Sequence, residues 1–473
     1  MKSMITLFLL LFSSWLGAQN DCACDLKYVI NYYETNLPGF KDNVNAENLK
    51  DYEQLKKKLQ QQAALAQEKV SCFKVLTYYV EFFKDNHSGI NMSIPNVDEN
   101  DPAAVQAFLN SDIYQSREMY ELSKEEAQQY PLKDIRGLYQ TADGTYTIAV
   151  IPNEGPLRKY IGVIVDSKTK LWKKGQVKME INPKSTGGYE AFVYMRNHSL
   201  RYNPNFSFQN GILGDSWYKT SKKEMVNHAT KQNFELEFEL LEDDLAYMRI
   251  PTFSNGYNAK IDSFYQAIKP RMKQVDRLII DVRNNGGGSD NNAKPLLDYI
   301  YTQPIKGDKV DLYVTPDNIK IWEKWYEEAK ADKVNYSKSD VRWFKNEVQS
   351  MKKAKAGTFI PRSKGGTFSR KVNPNQPKSV AVLYNKWCAS SCETLIFWAQ
   401  QSDNTILVGE NSGGYVGYGE VGTVKTPCYE YSLRCTMTRY EAHRAYEVVG
   451  IPPDHQLDYD KDWIEQTKAL LGN

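Results

Sequence analysis

Val380-Ala-Val-Leu-Tyr-Asn-Lys-Trp-Cys-Ala-Ser-Ser-Cys-Glu393 is the stretch on which the reading turns. Val380 to Leu383 is a short apolar run, a strand by length and composition. Asn385 to Ala389 then breaks the pattern, and small residues open a helix from Glu393 to Gln401. Strand, sharp turn and helix in that order put a serine hydroxyl at a helix N-terminus. The first backbone N–H groups there have no partner inside the helix. The plainer reading of the pattern alone is that Ser390 or Ser391 caps the helix. A nucleophilic serine needs more, namely a base and donors for an oxyanion.

Working outward, Arg277 to Val282 is a second apolar strand that runs into Asn284-Asn285-Gly286-Gly287-Gly288. Glycines after a buried strand let backbone approach a ligand closely. Phe234, Leu236, Phe238 and Leu240 alternate with polar residues as a half-buried strand. Ala246 to Pro251 reads as a strand, Ala259 to Met272 and Asn292 to Tyr301 as helices, and Thr405 to Val408 as a strand. Alternating strands and helices imply an α/β core. Residues 309–376 interrupt it as a basic, aromatic insertion with helices at Ile319 to Ala331 and Asp340 to Lys355, loop-like through Gly365-Gly366.

Upstream, Glu47 to Lys69 and Cys72 to Asp85 read as helices. Phe73, Leu76, Val80 and Phe83 share one face of the second. It stops at Asp85-Asn86-His87-Ser88-Gly89. From Gly137 short strands take over: a hairpin through Asp143-Gly144, then Tyr160 to Val165, Gln176 to Ile181 and Ala191 to Tyr194. The expected organisation is a signal peptide at 1–18 and a helical region at 19–100. A mostly β, barrel-like domain at 101–232 follows, then a core at 233–308 and 377–473 split by the 309–376 insertion.

The 473 residues carry a formal net charge of +2, which makes no case for nucleic acid as a partner. Lys2, an apolar run from Ile5 to Phe12 and small residues at Gly17-Ala18 have the layout of a cleaved signal peptide. The apolar run is too short for an ordinary membrane span, so a secreted or periplasmic chain is expected. Seven cysteines fit an oxidising compartment. Cys72 is placed to pin Cys22 or Cys24, Cys428 and Cys435 to cross-link a hairpin, and Cys388 and Cys392 bracket Ser390. The odd count leaves at least one thiol free. No spacing suggests a metal or cofactor.

The search for a base is short, because there are only five histidines: His87, His198, His228, His443 and His455. In isolation His87 reads as a surface residue and Glu447 as an exposed glutamate. Together with the other segments, however, they resemble the C-terminal processing and tricorn-like serine peptidases. Arg277 to Gly288 is similar to that family's Asp-Leu-Arg-x-Asn-x-Gly-Gly loop. Val380 to Glu393 resembles its nucleophile segment, with the serine three residues before a glutamate, which selects Ser390. Val408 to Gly414 resembles Gly-Glu-x-Thr-x-Gly, Glu447 to Asp454 resembles Glu-x-x-Gly-Val-x-Pro-Asp, and Asp85 to Ser88 resembles Asp-Gly-His-Thr.

The resemblance implies a mixed-sheet α/β core of the crotonase-like (ClpP-like) kind and a serine endopeptidase acting on peptides or unfolded proteins. The processing branch uses a lysine just after the Gly-Glu loop, where this chain has Tyr415. The implied set is therefore that of the tricorn-like branch: Ser390 as nucleophile, His87 as base, Glu447 assisting, and Gly287 and Ser391 N–H groups holding the oxyanion. Lys425 is the next candidate base. No PDZ module is legible; Tyr160 to Val165 and Gly211 to Asp215 match only fragments of one. The competing reading is a non-catalytic protein on the same scaffold that binds a peptide or an apolar ligand.

Overall fold

The computed structural model describes residues 21–154, 158–185, 187–214, 216–222, 235–459 and 461–472. The signal-peptide reading, Phe234 and His228 lie outside them. The core is a six-stranded sheet in the order Glu237–Leu240, Leu245–Arg249, Arg277–Asp281, Ser379–Tyr384, Thr405–Gly409, His455–Gln456. The first pair is antiparallel and every later pair parallel. Parallel strands covered on both faces read as near-continuous apolar runs, which is why Leu278 to Ile280 and Val380 to Leu383 show no polar alternation.

The alternation is spatial instead. Leu278, Ile280, Val380 and Val382 join one buried cluster with Ile261, Leu395 and Ile396. Ile279, Ala381 and Leu383 join another, under Trp463 and Leu471 of the C-terminal helix Trp463–Leu471. The register sets Ile279 beside Ala381 and Ala381 beside Ile406. Because the strands are parallel, the glycine loop and the Ser390 turn both leave the sheet at the carboxyl ends of its two central strands. That is where open α/β sheets bind ligands.

The helical start consists mainly of Asp21–Asn36, Leu49–Leu65 and Lys69–Glu81. Phe83 lies at the centre of its aromatic packing, with ring contacts to Tyr33, Phe40, Tyr52, Tyr79 and Phe82. A nine-stranded antiparallel sheet runs from Gly137–Thr141 to Trp217–Lys219. Among the described residues no helix is long and apolar enough to cross a membrane.

Three expectations are corrected. Cys428 pairs with Cys24, and Cys435 is a buried free thiol. The hairpin register places Cys435 opposite Gly422, while Cys428 sits out in the connecting turn, so the two sulfurs do not face each other. Secondly, Gly365 and Gly366 belong to a strand, Thr358–Phe368, paired antiparallel with Ile305–Val314. Gly366 lies opposite Gly307, so glycine meets glycine within a ladder that side chains elsewhere make legible. Thirdly, the helix expected over Asn292 to Tyr301 is three short turns, with Pro295 in the second, where its missing N–H breaks the ladder. The other two cystines are Cys22–Cys72 and Cys388–Cys392.

The loop that carries His87 leaves directly from Phe83, so this packing supports the site. Phe83→Ala is expected to destabilise the protein by about 3–5 kcal/mol. The measurement is the midpoint of urea unfolding followed by tyrosine fluorescence, together with the loss of any activity the fold supports.

Candidate active site

Ser390 precedes the helix Ser391–Ala399 with φ +59° and ψ −121°. Helix caps ordinarily have extended backbone. The capping residues Asp101, Ser289, Thr315, Ser337 and Asp462 of this chain all do. Ser390 does not. A left-handed non-glycine residue costs about 1–3 kcal/mol and persists only where its surroundings over-determine it. The turn is therefore built to hold a serine in a conformation that capping does not require.

Two neighbours fix that turn. The Ser390 N–H donates to Glu393 Oε2 at 2.8 Å. Gly287, at φ +85°, lies against the turn so closely that a Cβ there would fall 2.4 Å from the Ala389 carbonyl oxygen and 2.8 Å from Ser390 Cβ. Only glycine fits. The two loops are also stitched directly: Ala389 N–H donates to Asn285 O at 3.0 Å, and Asn284 N–H to Asn385 Oδ1 at 3.0 Å. Ser391 starts the helix, so its N–H has no intrahelical acceptor. The Gly287 N–H is taken up within its own loop, donating to Asn285 Oδ1 at 2.9 Å.

His87 lines the same cavity of about 620 Å³ as Ser390, Ser391 and Gly288. The far wall comes from the inserted segment, with Tyr336, Trp343 and Arg362. Asp85 bends the His87 loop. Its Oδ1 accepts the N–H groups of His87 at 3.0 Å and Ser88 at 3.1 Å, and its Oδ2 accepts the hydroxyls of Ser88 and Thr436. Asn86 ties the loop to the segment after the core strand Thr405–Gly409, donating from Nδ2 to the carbonyls of Gly413 and Gly414.

Glu447 reaches the base's loop through backbone. Its Oε1 accepts the Asn86 N–H at 2.8 Å, and its Oε2 accepts Val416 N–H at 2.9 Å and Gly417 N–H at 2.6 Å. Burial and the Asp85 charge push its pKa up, and the three N–H donors oppose that. Burial lowers the His87 pKa, which favours neutral imidazole; Asp85 acts against this and Arg434 with it. The His87 Nδ1 is buried without a hydrogen-bond partner among the described residues. Tyr415, standing where the resemblance would put a lysine, packs edge-on against His87, with ring centroids 5.2 Å apart. Lys425 turns elsewhere, donating to Ser432 Oγ at 2.8 Å.

Sequence reasoning passed over Asp85, Asn86 and Glu393 as working parts. Glu393 is fully buried and takes four donors: Ser390 N–H, Ser412 Oγ, Gly414 N–H and Tyr415 N–H. The signal for it was present, since Ser390-x-x-Glu393 has the spacing of a capping box. His443 lies on the same cavity, stacked on Phe397, and His198 is buried in the nine-stranded sheet's core.

Residues 244–457 match the family model described as Peptidase family S41. No protein of curated function matches the sequence. Among solved structures, mature CPAF complexed with lactacystin is 14% identical, with 96% of this chain and 97% of that one covered and a TM-score of 0.48. A putative peptidase from Parabacteroides merdae is 13% identical over 95% and 96% of the two chains, with a TM-score of 0.42. The photosystem II D1 C-terminal processing protease is 13% identical over 96% and 97%, with a TM-score of 0.36.

Glu393→Gln replaces an acceptor oxygen with an NH2 group facing backbone donors. It is expected to lower kcat/KM for peptide hydrolysis about 10–100-fold, as an unsatisfied buried donor costs about 1–3 kcal/mol. Gly287→Ala is expected to abolish turnover while circular dichroism stays native. Wild-type rates in both variants would contradict the geometry described for the turn.

Proposed function

We propose, from the match of residues 244–457 to the model of Peptidase family S41, that this serine-type peptidase cleaves peptide bonds through a Ser390 acyl-enzyme with His87 as general base. The observation that carries this reading is the left-handed Ser390 at the head of a helix, facing a cavity that His87 also lines. His87 takes the hydroxyl proton as Ser390 Oγ attacks the substrate carbonyl. The Ser391 N–H meets the oxyanion, and the Gly287 N–H joins it by exchanging Asn285 Oδ1 for substrate oxygen. Protonated His87 then gives its proton to the departing amine. Water, deprotonated by the same imidazole, attacks the ester and releases the acid and free Ser390.

Glu447 assists by fixing the Asn86–His87 backbone through the Asn86 N–H. Burial supports a base that is already neutral below the usual imidazole value. An extended, unfolded segment is the substrate this cleft suits, lying between the core loops and the aromatic wall of the insertion. The three cystines and the signal-like start of the sequence support a secreted or periplasmic setting.

Ser390→Ala is expected to remove hydrolysis of an unfolded protein such as casein, with unfolding behaviour unchanged; His87→Ala should match it, and Lys425→Ala should not. Undiminished turnover in Ser390→Ala would refute the acyl-enzyme. A wild-type chain that binds peptide without cleaving it would favour the binding-protein reading. In the pH profile, the acid limb of kcat/KM is expected below 6.5, the usual imidazole value. Replacing Arg434 by glutamine removes a positive charge that opposes protonation of His87. The limb should then move to higher pH.

A further inference from the structure

The Ser390 turn is held by more than hydrogen bonds. Cys388 and Cys392 form a disulfide across it, at a sequence separation of 4, with Ser390 at the middle of the ring. Both cysteines are fully buried. The ring is further anchored from both sides, because Gly413 N–H donates to Cys388 O at 2.8 Å and Cys392 Sγ lies against the Val282 carbonyl. It thus ties the nucleophile turn between the glycine loop's strand and the segment that follows Gly409.

The other two cystines do a different job. Cys22–Cys72 spans 50 residues and Cys24–Cys428 spans 404, so each joins separate elements and closes a long loop. Closing a long loop restricts the unfolded chain strongly, and closing a very short one restricts it least. A cystine confined to one turn adds little to global stability by that route. What it restricts is local: the backbone of Cys388 to Cys392, which includes Ser390, whose φ of +59° opposes ordinary preference. Hydrogen bonds from Glu393 and contact with Gly287 favour this conformation, and the covalent ring denies the turn its extended alternatives.

We propose that the Cys388–Cys392 disulfide is a positioning device for the nucleophile, holding Ser390 in its left-handed conformation before substrate arrives. The proposal rests on the reading of Ser390 as nucleophile. Neither sulfur meets substrate; the bond acts through the serine. Its use is in the rate of attack, not in substrate affinity, because the cleft walls are built from other elements. It also leaves the base untouched, since His87, Asp85 and Glu447 belong to other loops.

The test compares the wild type with Cys388→Ala/Cys392→Ala and Cys388→Ala/Cys392→Val, the second restoring part of the lost volume. Both are expected to show kcat lowered roughly 10–100-fold, the scale of a small misplacement of a reacting group. KM should stay within about twofold, as for an interaction realised in the transition state. The acid limb of the pH profile should not move, and Tm should fall by no more than about 4 °C. Should the first variant fail to fold, the second carries the same comparison. Wild-type kcat in either folded variant, or recovery on refilling the volume with valine, would overturn the proposal in favour of simple packing. KM and the acid limb moving together with kcat would overturn it too. Ser390→Ala is the control: hydrolysis surviving there refutes the nucleophile itself, whereas loss of hydrolysis there with unimpaired cystine variants refutes the clamp alone.

Discussion

The carboxylate of Glu393 is the constraint on which the rest of the site depends. It is fully buried, and four donors converge on its two oxygens: Ser390 N–H, Ser412 Oγ, Gly414 N–H and Tyr415 N–H. Burial alone pushes such a group towards its neutral acid. A proton on either oxygen would have to displace one of these donors, so the hydrogen bonding is satisfied by the carboxylate form. Through it the serine turn and the segment 412–415 become one body. Asn86 then binds the same segment through the Gly413 and Gly414 carbonyls, and Glu447 binds Asn86, Val416 and Gly417. His87 thereby acquires a fixed place relative to Ser390 although 303 positions separate the two in the sequence numbering.

This arrangement solves an electrostatic problem. Asp85, Glu393 and Glu447 sit close to the cleft, and unpaired buried carboxylates are costly. Each is met mainly by backbone N–H groups and hydroxyls. Such donors are fixed in direction, so they orient loops as well as stabilise charge. Desolvation meanwhile keeps the His87 imidazole neutral and able to accept a proton. The same low-dielectric surroundings would strengthen any charge that develops between the serine, the base and the substrate.

Much of the fold was legible in the sequence, and for identifiable reasons. Leu278 to Ile280 and Val380 to Leu383 are uninterrupted apolar runs, as strands buried on both faces must be, and Leu278, Ile279 and Ile280 lie beside Val380, Ala381 and Val382. Phe73, Leu76, Val80 and Phe83 repeat at helical spacing and are all buried. The strand Thr358–Phe368 was not legible, because its interior carries Gly365 and Gly366 and half-exposed polar residues, which mimic a loop. The Cys24–Cys428 pairing was hidden because it joins cysteines 404 positions apart in the sequence. In the site, residue types announced themselves but their mutual support did not. Asp85 and Asn86 act largely on backbone groups, which leave no mark in a sequence, and Glu393 shows there only as a capping-box spacing from Ser390. The left-handed φ of Ser390 is equally silent, since a serine there reads as an ordinary cap.

The most direct measurement of the central claim is chemical. The protein is incubated with a fluorophosphonate, digested, and mapped by tandem mass spectrometry. The account predicts one adduct, on Ser390, forming more slowly as pH falls through the His87 titration. An adduct on Ser391, or complete inhibition of peptide hydrolysis while Ser390 stays unmodified, would contradict it.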